Sequence, residues 1–144
     1  MRQFLVAALL VVAPLLIDPG RPTATAFAHD DTAATGTLEV AEMAFGTDLD
    51  RESRELVGEA TSFPAGTATV YCRTRVVGAT EPATITHVWY RDGKSMAHVE
   101  LPVKSASWRT YSSKRLLPDW TGTWEVRVLD EAGNLLRAET FTVE

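Results

Sequence analysis

The sequence has few of the residues that disulfide-linked, zinc-binding and nucleic-acid-binding proteins need. Its 144 residues include one Cys and three His. One Cys excludes a disulfide framework within the chain and a Cys-based zinc finger. A formal net charge of −5 argues against a nucleic-acid partner, because nucleic-acid binders carry a basic stripe.

Catalytic and nucleotide-binding signatures are also missing. The chain contains no Gly-x-x-x-x-Gly-Lys, Gly-x-Gly-x-x-Gly, His-Glu-x-x-His or Gly-x-Ser-x-Gly motif. No carboxylate pair stands out, and three His are few for a site of clustered titratable groups. We therefore expect a protein that is not an enzyme and that carries no cofactor.

The apolar runs are too short for a comfortable membrane span. The longest, Phe4–Ile17, has fourteen residues without a charge, whereas a span needs roughly 20. Such a run suits the apolar core of a secretory signal, and small-x-small cleavage sites follow it. We expect cleavage after Ala28. The alternative is an uncleaved anchor, in which residues 4–17 tether the protein to a membrane.

These features divide the chain into three parts. Residues 1–28 are predicted to be a signal peptide, residues 29–36 an acidic flexible leader, and residues 37–144 a folded domain. Export would place the domain in the periplasm or outside the cell, where disulfides form. Cys72 has no partner in its own chain, so it is either buried and inert or the site of an intermolecular bridge.

Apolar residues recur with period two through most of the domain, which is typical of half-buried strands. The pair Asp92-Gly93 is a hairpin signal, and the apolar face switches after Val40, which indicates a bulge or bend. No long window shows helical periodicity. We predict an all-β domain, an immunoglobulin-like antiparallel β-sandwich of about seven strands. The predicted strands are 37–45, 67–77, 84–90, 96–103, 107–114, 123–129 and 135–143.

Local patterns agree with an immunoglobulin-like domain. The run from Val88 to Lys94 resembles the strand that carries the core Trp, here Trp89. The pattern Asp119-x-x-Gly122-x-Trp124-x-Val126 resembles the corner Asp-x-Gly-x-Tyr-x-Cys, with Trp in place of Tyr and Val in place of Cys. This resemblance implies a reduced, buried Cys72 packed near Val126 and Trp89.

Four runs, at 87–94, 108–114, 120–126 and 133–143, span most of the domain. On these runs, residues 36–144 resemble a bacterial family of unknown function, DUF2914. The resemblance implies an extracytoplasmic β-sandwich, often tethered to a membrane, and it assigns no catalytic or binding residues.

The run from Trp108 to Lys114 is the most unusual feature of the sequence. Strand alternation puts Arg109 and Tyr111 on one face, and Trp108 is the better core group on the other. Arg offers a planar fork for carboxylate or phosphate, and Tyr offers a stacking face. The alternative is structural: Arg109 and Lys114 pair with nearby acids, and Tyr111 covers a sheet edge. The candidate binding residues are Arg109, Tyr111, Lys114, Trp120 and His87.

Tryptophans and histidines suggest further hypotheses. We expect Trp89 and Trp124 in the core and Trp120 as the best exposed indole. A sugar platform would therefore need Trp120 and a second exposed ring such as Trp108.

His87 shares a face with Trp89. It is either a neutral core His bonded to the hydroxyl of Ser112 or Tyr111, or a ligand-contacting or catalytic group. If cleavage follows Ala28, His29 becomes the N-terminal residue and a candidate copper ligand.

The leading hypothesis is a non-catalytic exported interaction module of the bacterial cell envelope. Its partner would be an unknown envelope protein or a cell-wall or polysaccharide component. The alternative is a carbohydrate or small-anion binding domain with an aromatic and Arg site. The remote alternative is a copper-binding protein that uses His29.

Overall fold

A computed structural model describes residues 37–144. The predicted signal peptide, the leader and His29 lie outside these residues. The described chain consists of strands and turns without a helix. The strands are β1 (Glu39–Gly46), β2 (Asp48–Leu49), β3 (Leu56–Val57), β4 (Ser62–Phe63), β5 (Thr69–Val77), β6 (Ala83–Arg91), β7 (Lys94–Val103), β8 (Ser107–Arg115), β9 (Gly122–Leu129) and β10 (Leu135–Val143).

The strands form a sandwich of two sheets with a small hairpin beside it. One sheet has the order β1-β5-β8, and the other has the order β4-β10-β9-β6-β7. Neighbouring strands run antiparallel except β4 and β10, which are parallel. The predicted immunoglobulin-like sandwich is confirmed. The seven long strands match the seven predicted ones, whereas β2, β3 and β4 have two residues each, too few to show alternation.

The core lies between the sheets, and strand alternation fills it. Every second residue of β5 from Val70 to Val76 is buried. Trp89 and Trp124 are fully buried, and the Trp124 ring stacks on Phe141 with 5.9 Å between centroids and 6° between planes. The core positions predicted for these two indoles are confirmed.

Cys72 is a free, fully buried thiol in the same cluster as Trp89 and Val126. Burial, with a smaller effect from the charge of Glu139, raises the pKa of this thiol far above its usual range. The thiolate needed for disulfide exchange therefore does not form. Cys72 is the inert core residue that the corner pattern predicted.

Two local predictions are also confirmed. The pairing of β1 with β5 shifts register between Val40 and Glu42, as the change of apolar face indicated. The β6–β7 hairpin turns through Asp92 and Gly93, both with positive φ (47° and 80°), as a two-residue turn requires. The Asp92 carboxylate accepts a hydrogen bond from Thr123 N at 3.1 Å, which ties the turn to the start of β9.

Trp124→Ala should lower the free energy of unfolding by about 3–5 kcal/mol, because it opens a large cavity against Phe141. Urea melts measure this loss, and a loss below about 1 kcal/mol would show that Trp124 does not support the core. Leu135→Ala serves as the control, since Leu135 is 58% exposed and should change the melt little.

Candidate functional site

The outer face of the three-stranded sheet carries a row of arginines. In the register of β5 with β8, Arg75 lies opposite Arg109 and Arg73 lies opposite Tyr111. Alternation along β8 turns Arg109 and Tyr111 outward and buries Thr110 and Ser112 against the core. This division of faces agrees with the sequence analysis, although Trp108 is half-buried rather than buried.

Two carboxylates form ion pairs with three guanidinium groups on this face. Glu55 accepts hydrogen bonds from Arg73 Nη1 at 2.7 Å and from Arg109 Nη1 at 2.9 Å. Glu42 lies 3.1 Å from Arg75 Nε and 3.7 Å from Arg73 Nη2. The buried Nε atoms of Arg73 and Arg75 donate no hydrogen bond within residues 37–144, although Arg75 Nε lies close to Glu42. Two guanidinium donors of this face are therefore without an acceptor there.

A fourth arginine reaches this face from the loop between β2 and β3. The guanidinium carbon of Arg54 lies 5.6 Å from the centre of the Tyr111 ring. Arg54 has a positive φ of 61° and donates its backbone N–H to Asp50 O at 2.8 Å. The backbone N–H groups of Ser53 and Glu52 bond to the Asp50 carboxylate and hold its pKa below its usual range. A hydrogen-bonded turn thus positions Arg54.

We call this surface the arginine face. It holds four guanidinium groups against two carboxylates, with two tyrosine rings whose centroids are 6.2 Å apart. Its members are Arg54, Arg73, Arg75, Arg109, Tyr71, Tyr111, Glu42 and Glu55.

Lys114 and Trp120 lie together, away from the arginine face. Lys114 Nζ is 5.3 Å from the centre of the Trp120 ring, a cation–π contact. Trp120 is half-buried and packs against Trp124 at 6.1 Å with a 46° tilt. Trp108 packs against the other core cluster. The structure therefore does not bring Trp108 and Trp120 together as a sugar platform.

His87 is fully buried between the sheets and bonds to two hydroxyl groups. Its Nδ1 lies 2.6 Å from Ser112 Oγ, and its Nε2 lies 3.2 Å from Thr74 Oγ1. The indole N–H of Trp89 donates to the same Ser112 Oγ at 3.1 Å. Ser112 was one of the two partners expected, whereas Thr74 was not. His87 is thus a satisfied core residue and not part of an exposed surface.

The predicted site residues therefore fall into three places. Arg109 and Tyr111 lie on the arginine face, Lys114 and Trp120 at the end of β8, and His87 in the core. Arg109 pairs with an acid, as the structural alternative expected, whereas Lys114 lies over an indole. Arg54, Arg73 and Arg75 were not predicted as neighbours of Arg109. Alternation does turn Arg73 and Arg75 outward, but the pairing of β5 with β8 is not visible in the sequence.

Neither a metal site nor a membrane span is seen in the part of the chain that the structure describes. No three His, Cys, Asp or Glu side chains of residues 37–144 are grouped so that they could hold a metal ion. The same residues include no helix that is long and apolar enough to cross a membrane.

The comparisons with known proteins agree with the sequence on the family. Residues 82–143 match a family described as "Protein of unknown function (DUF2914)". All four runs that carry the predicted resemblance lie inside this range, so the resemblance is confirmed there. The match begins at residue 82, whereas the resemblance was predicted from residue 36.

The other comparisons add little. No curated protein matches the chain. A crystal structure of β-glucosidase from Kluyveromyces marxianus aligns with a TM-score of 0.44 and 10% identity, over 76% of this chain and 14% of that chain. The protein thus spans a small part of that enzyme's length.

The buried His87 predicts a specific pH dependence of stability. Burial lowers the pKa of His87 from 6.5 to about 4. Between these values the unfolded chain binds a proton that the folded ring does not, so the free energy of unfolding falls as pH falls. We expect a loss on the order of 3 kcal/mol from pH 7 to pH 4 in urea melts. His87→Gln cannot titrate and should lose less. Equal losses in both proteins would contradict this assignment.

Arg109→Ala should leave stability nearly unchanged. Its ion pair with Glu55 is solvent-exposed, with side chains 45% and 53% accessible, and such pairs contribute less than about 1 kcal/mol. Thermal or urea melts test this expectation. A loss of several kcal/mol would mean that Arg109 supports the fold and is not available to a partner.

Proposed function

We propose that the protein is a non-catalytic exported binding module of the bacterial cell envelope, and that its arginine face holds an anionic partner. One observation carries the proposal: on one sheet face three guanidinium groups share two carboxylates, and a fourth, that of Arg54, lies over Tyr111 without an ion pair within residues 37–144. The whole chain has a net charge of −5. The positive charge of the arginine face is therefore opposite in sign to the net charge of the protein.

The chemistry of this face suits carboxylate or phosphate groups. A guanidinium group presents a planar fork of donors, and an added carboxylate can bond to Arg109, whose side chain is 45% accessible, and to Arg54, which has no ion pair within residues 37–144. Tyr71 and Tyr111 supply ring faces and hydroxyl groups beside the charges. The flat surface of a sheet offers contact to an extended chain more readily than to a small enclosed ligand. An acidic envelope protein or an acidic cell-wall polysaccharide has these properties.

Other features support the remaining parts of the proposal. The apolar run Phe4–Ile17 with its small-x-small sites favours export, to the periplasm or outside the cell. The buried His87 is bonded to two hydroxyl groups, with no carboxylate bonded to it among residues 37–144. A catalytic base needs access to substrate and a suitable pKa, and His87 has neither.

Charge reversal on the arginine face tests the proposal. Poly-L-glutamate and polygalacturonate, one a polypeptide and one a polysaccharide, serve as carboxylate probes in titration calorimetry. We expect Arg109→Glu to weaken binding about tenfold or more, since it replaces an attraction by a repulsion. Binding should also weaken as salt is raised, because exposed charges are screened.

Lys94→Glu is the matched control. It makes the same charge change at an exposed position of the β6–β7 hairpin, on the other sheet, and should leave binding nearly unchanged. Equal loss in both variants would mean that the probes respond only to net charge. Failure of both probes to bind the unmodified protein at low salt would overturn the proposed function.

A further inference from the structure

The backbone of β8 has one open edge. β8 is the last strand of the sheet β1-β5-β8. Just beyond its two ends, Leu116 N donates to Ala68 O at 2.9 Å, and Gly78 N donates to Ala106 O at 3.0 Å. In an antiparallel ladder both backbone groups of a residue point to the same side, and successive residues alternate. The even-numbered residues of β8 therefore face β5, and the odd-numbered ones face the open edge.

The open-edge groups are those of Ser107, Arg109, Tyr111, Ser113 and Arg115. The Ser107 carbonyl accepts a hydrogen bond from Ser105 Oγ at 2.8 Å. No strand of the described chain pairs with Arg109, Tyr111 or Ser113 along this edge. Such a row of free donors and acceptors is a template for another strand.

A groove runs along this edge, between β8 and β7, the edge strand of the other sheet. Its volume is about 520 Å³. Three consecutive residues, Tyr111, Ser112 and Ser113, line it although their side chains alternate in direction. The backbone of β8 therefore forms one wall. The opposite wall is apolar and comes from Val99 and Leu101.

The charged residues of the groove are basic. Arg54 and Lys104 line it, and no acidic residue does. Neither makes an ion pair within residues 37–144. Arg109 stands next to the groove on the outer face, where the side chains of an added strand would alternate with those on the inner face. The edge therefore combines a backbone template with an apolar inner side and a basic outer side.

We propose that β8 binds an extended peptide segment of a partner protein as an added strand, in which acidic and apolar side chains alternate. The apolar side chains would enter the groove against Val99, Leu101 and Trp108, and the acidic ones would meet Arg54 and Arg109. This inference rests on the proposed function for its acidic contacts, and it names the partner class as a protein with such a segment.

Hydrogen exchange on the full chain tests the inference directly. The probe is a capped nine-residue peptide of alternating Asp and Val, and its control has the same composition with Asp and Val in two blocks. The alternating peptide should slow exchange of the amides of Arg109, Tyr111 and Ser113 about tenfold or more, whereas the amides of Thr110 and Ser112 are already bonded to β5 and should change little. Unchanged exchange at the odd-numbered amides would overturn the inference.

Ser113→Pro provides a second test. It removes one open-edge N–H and leaves the ladder with β5 intact, the setting in which proline is tolerated in a sheet. We expect it to weaken the alternating peptide about tenfold, whereas Ser113→Ala should not. Poly-L-glutamate binding should persist in Ser113→Pro, and a cooperative urea melt like that of Ser113→Ala would show that the variant is folded.

The two proposals fail differently. Equal binding of the alternating and block peptides, with poly-L-glutamate still bound, would overturn strand addition and leave the arginine face standing. If the unmodified protein binds neither peptide, and neither poly-L-glutamate nor polygalacturonate, both proposals fail.

Discussion

Aromatic rings packed around Phe141 join the two sheets. Phe141 lies on β10, and its ring centroid is 4.7 Å from that of Phe45 on β1, in the opposite sheet. Trp89 and Trp124 of its own sheet pack on it as well. Because large rings from the two sheets pack against each other, one face of each long strand lies in the core. The other face of every strand is thereby left for solvent and partners.

Buried hydrogen bonds also link the two sheets. His87 belongs to the five-stranded sheet, and its hydroxyl partners Ser112 and Thr74 belong to the three-stranded sheet. A buried polar group without its partners costs free energy, so this link disfavours any other placement of β8 opposite β6. The same placement keeps Arg109 and Tyr111 outward. The core residue His87 thus acts on the surface only through the position that it gives to β8.

The arginine face and the groove are two sides of one strand. Arg54 and Tyr111 belong to both, since Arg54 lies over the Tyr111 ring and both residues line the groove. A polymer on the sheet face and a strand at its edge would therefore meet the same basic, aromatic corner. An immunoglobulin-like sandwich leaves its faces and edges free for such use, and the fold alone does not fix what they bind.

The likeness to the immunoglobulin corner pattern implied the buried Cys72. The sequence was enough to predict the all-β class, the seven long strands and the β6–β7 turn, because alternation and turn chemistry are local properties of the chain. It also separated the two faces of β8. The folded chain set which strands are neighbours, and hence that Arg73, Arg75 and Arg109 share two carboxylates. It also placed Arg54 over Tyr111 from a distant loop, and it left the edge of β8 open. Such contacts join residues far apart in sequence, and no local pattern encodes them.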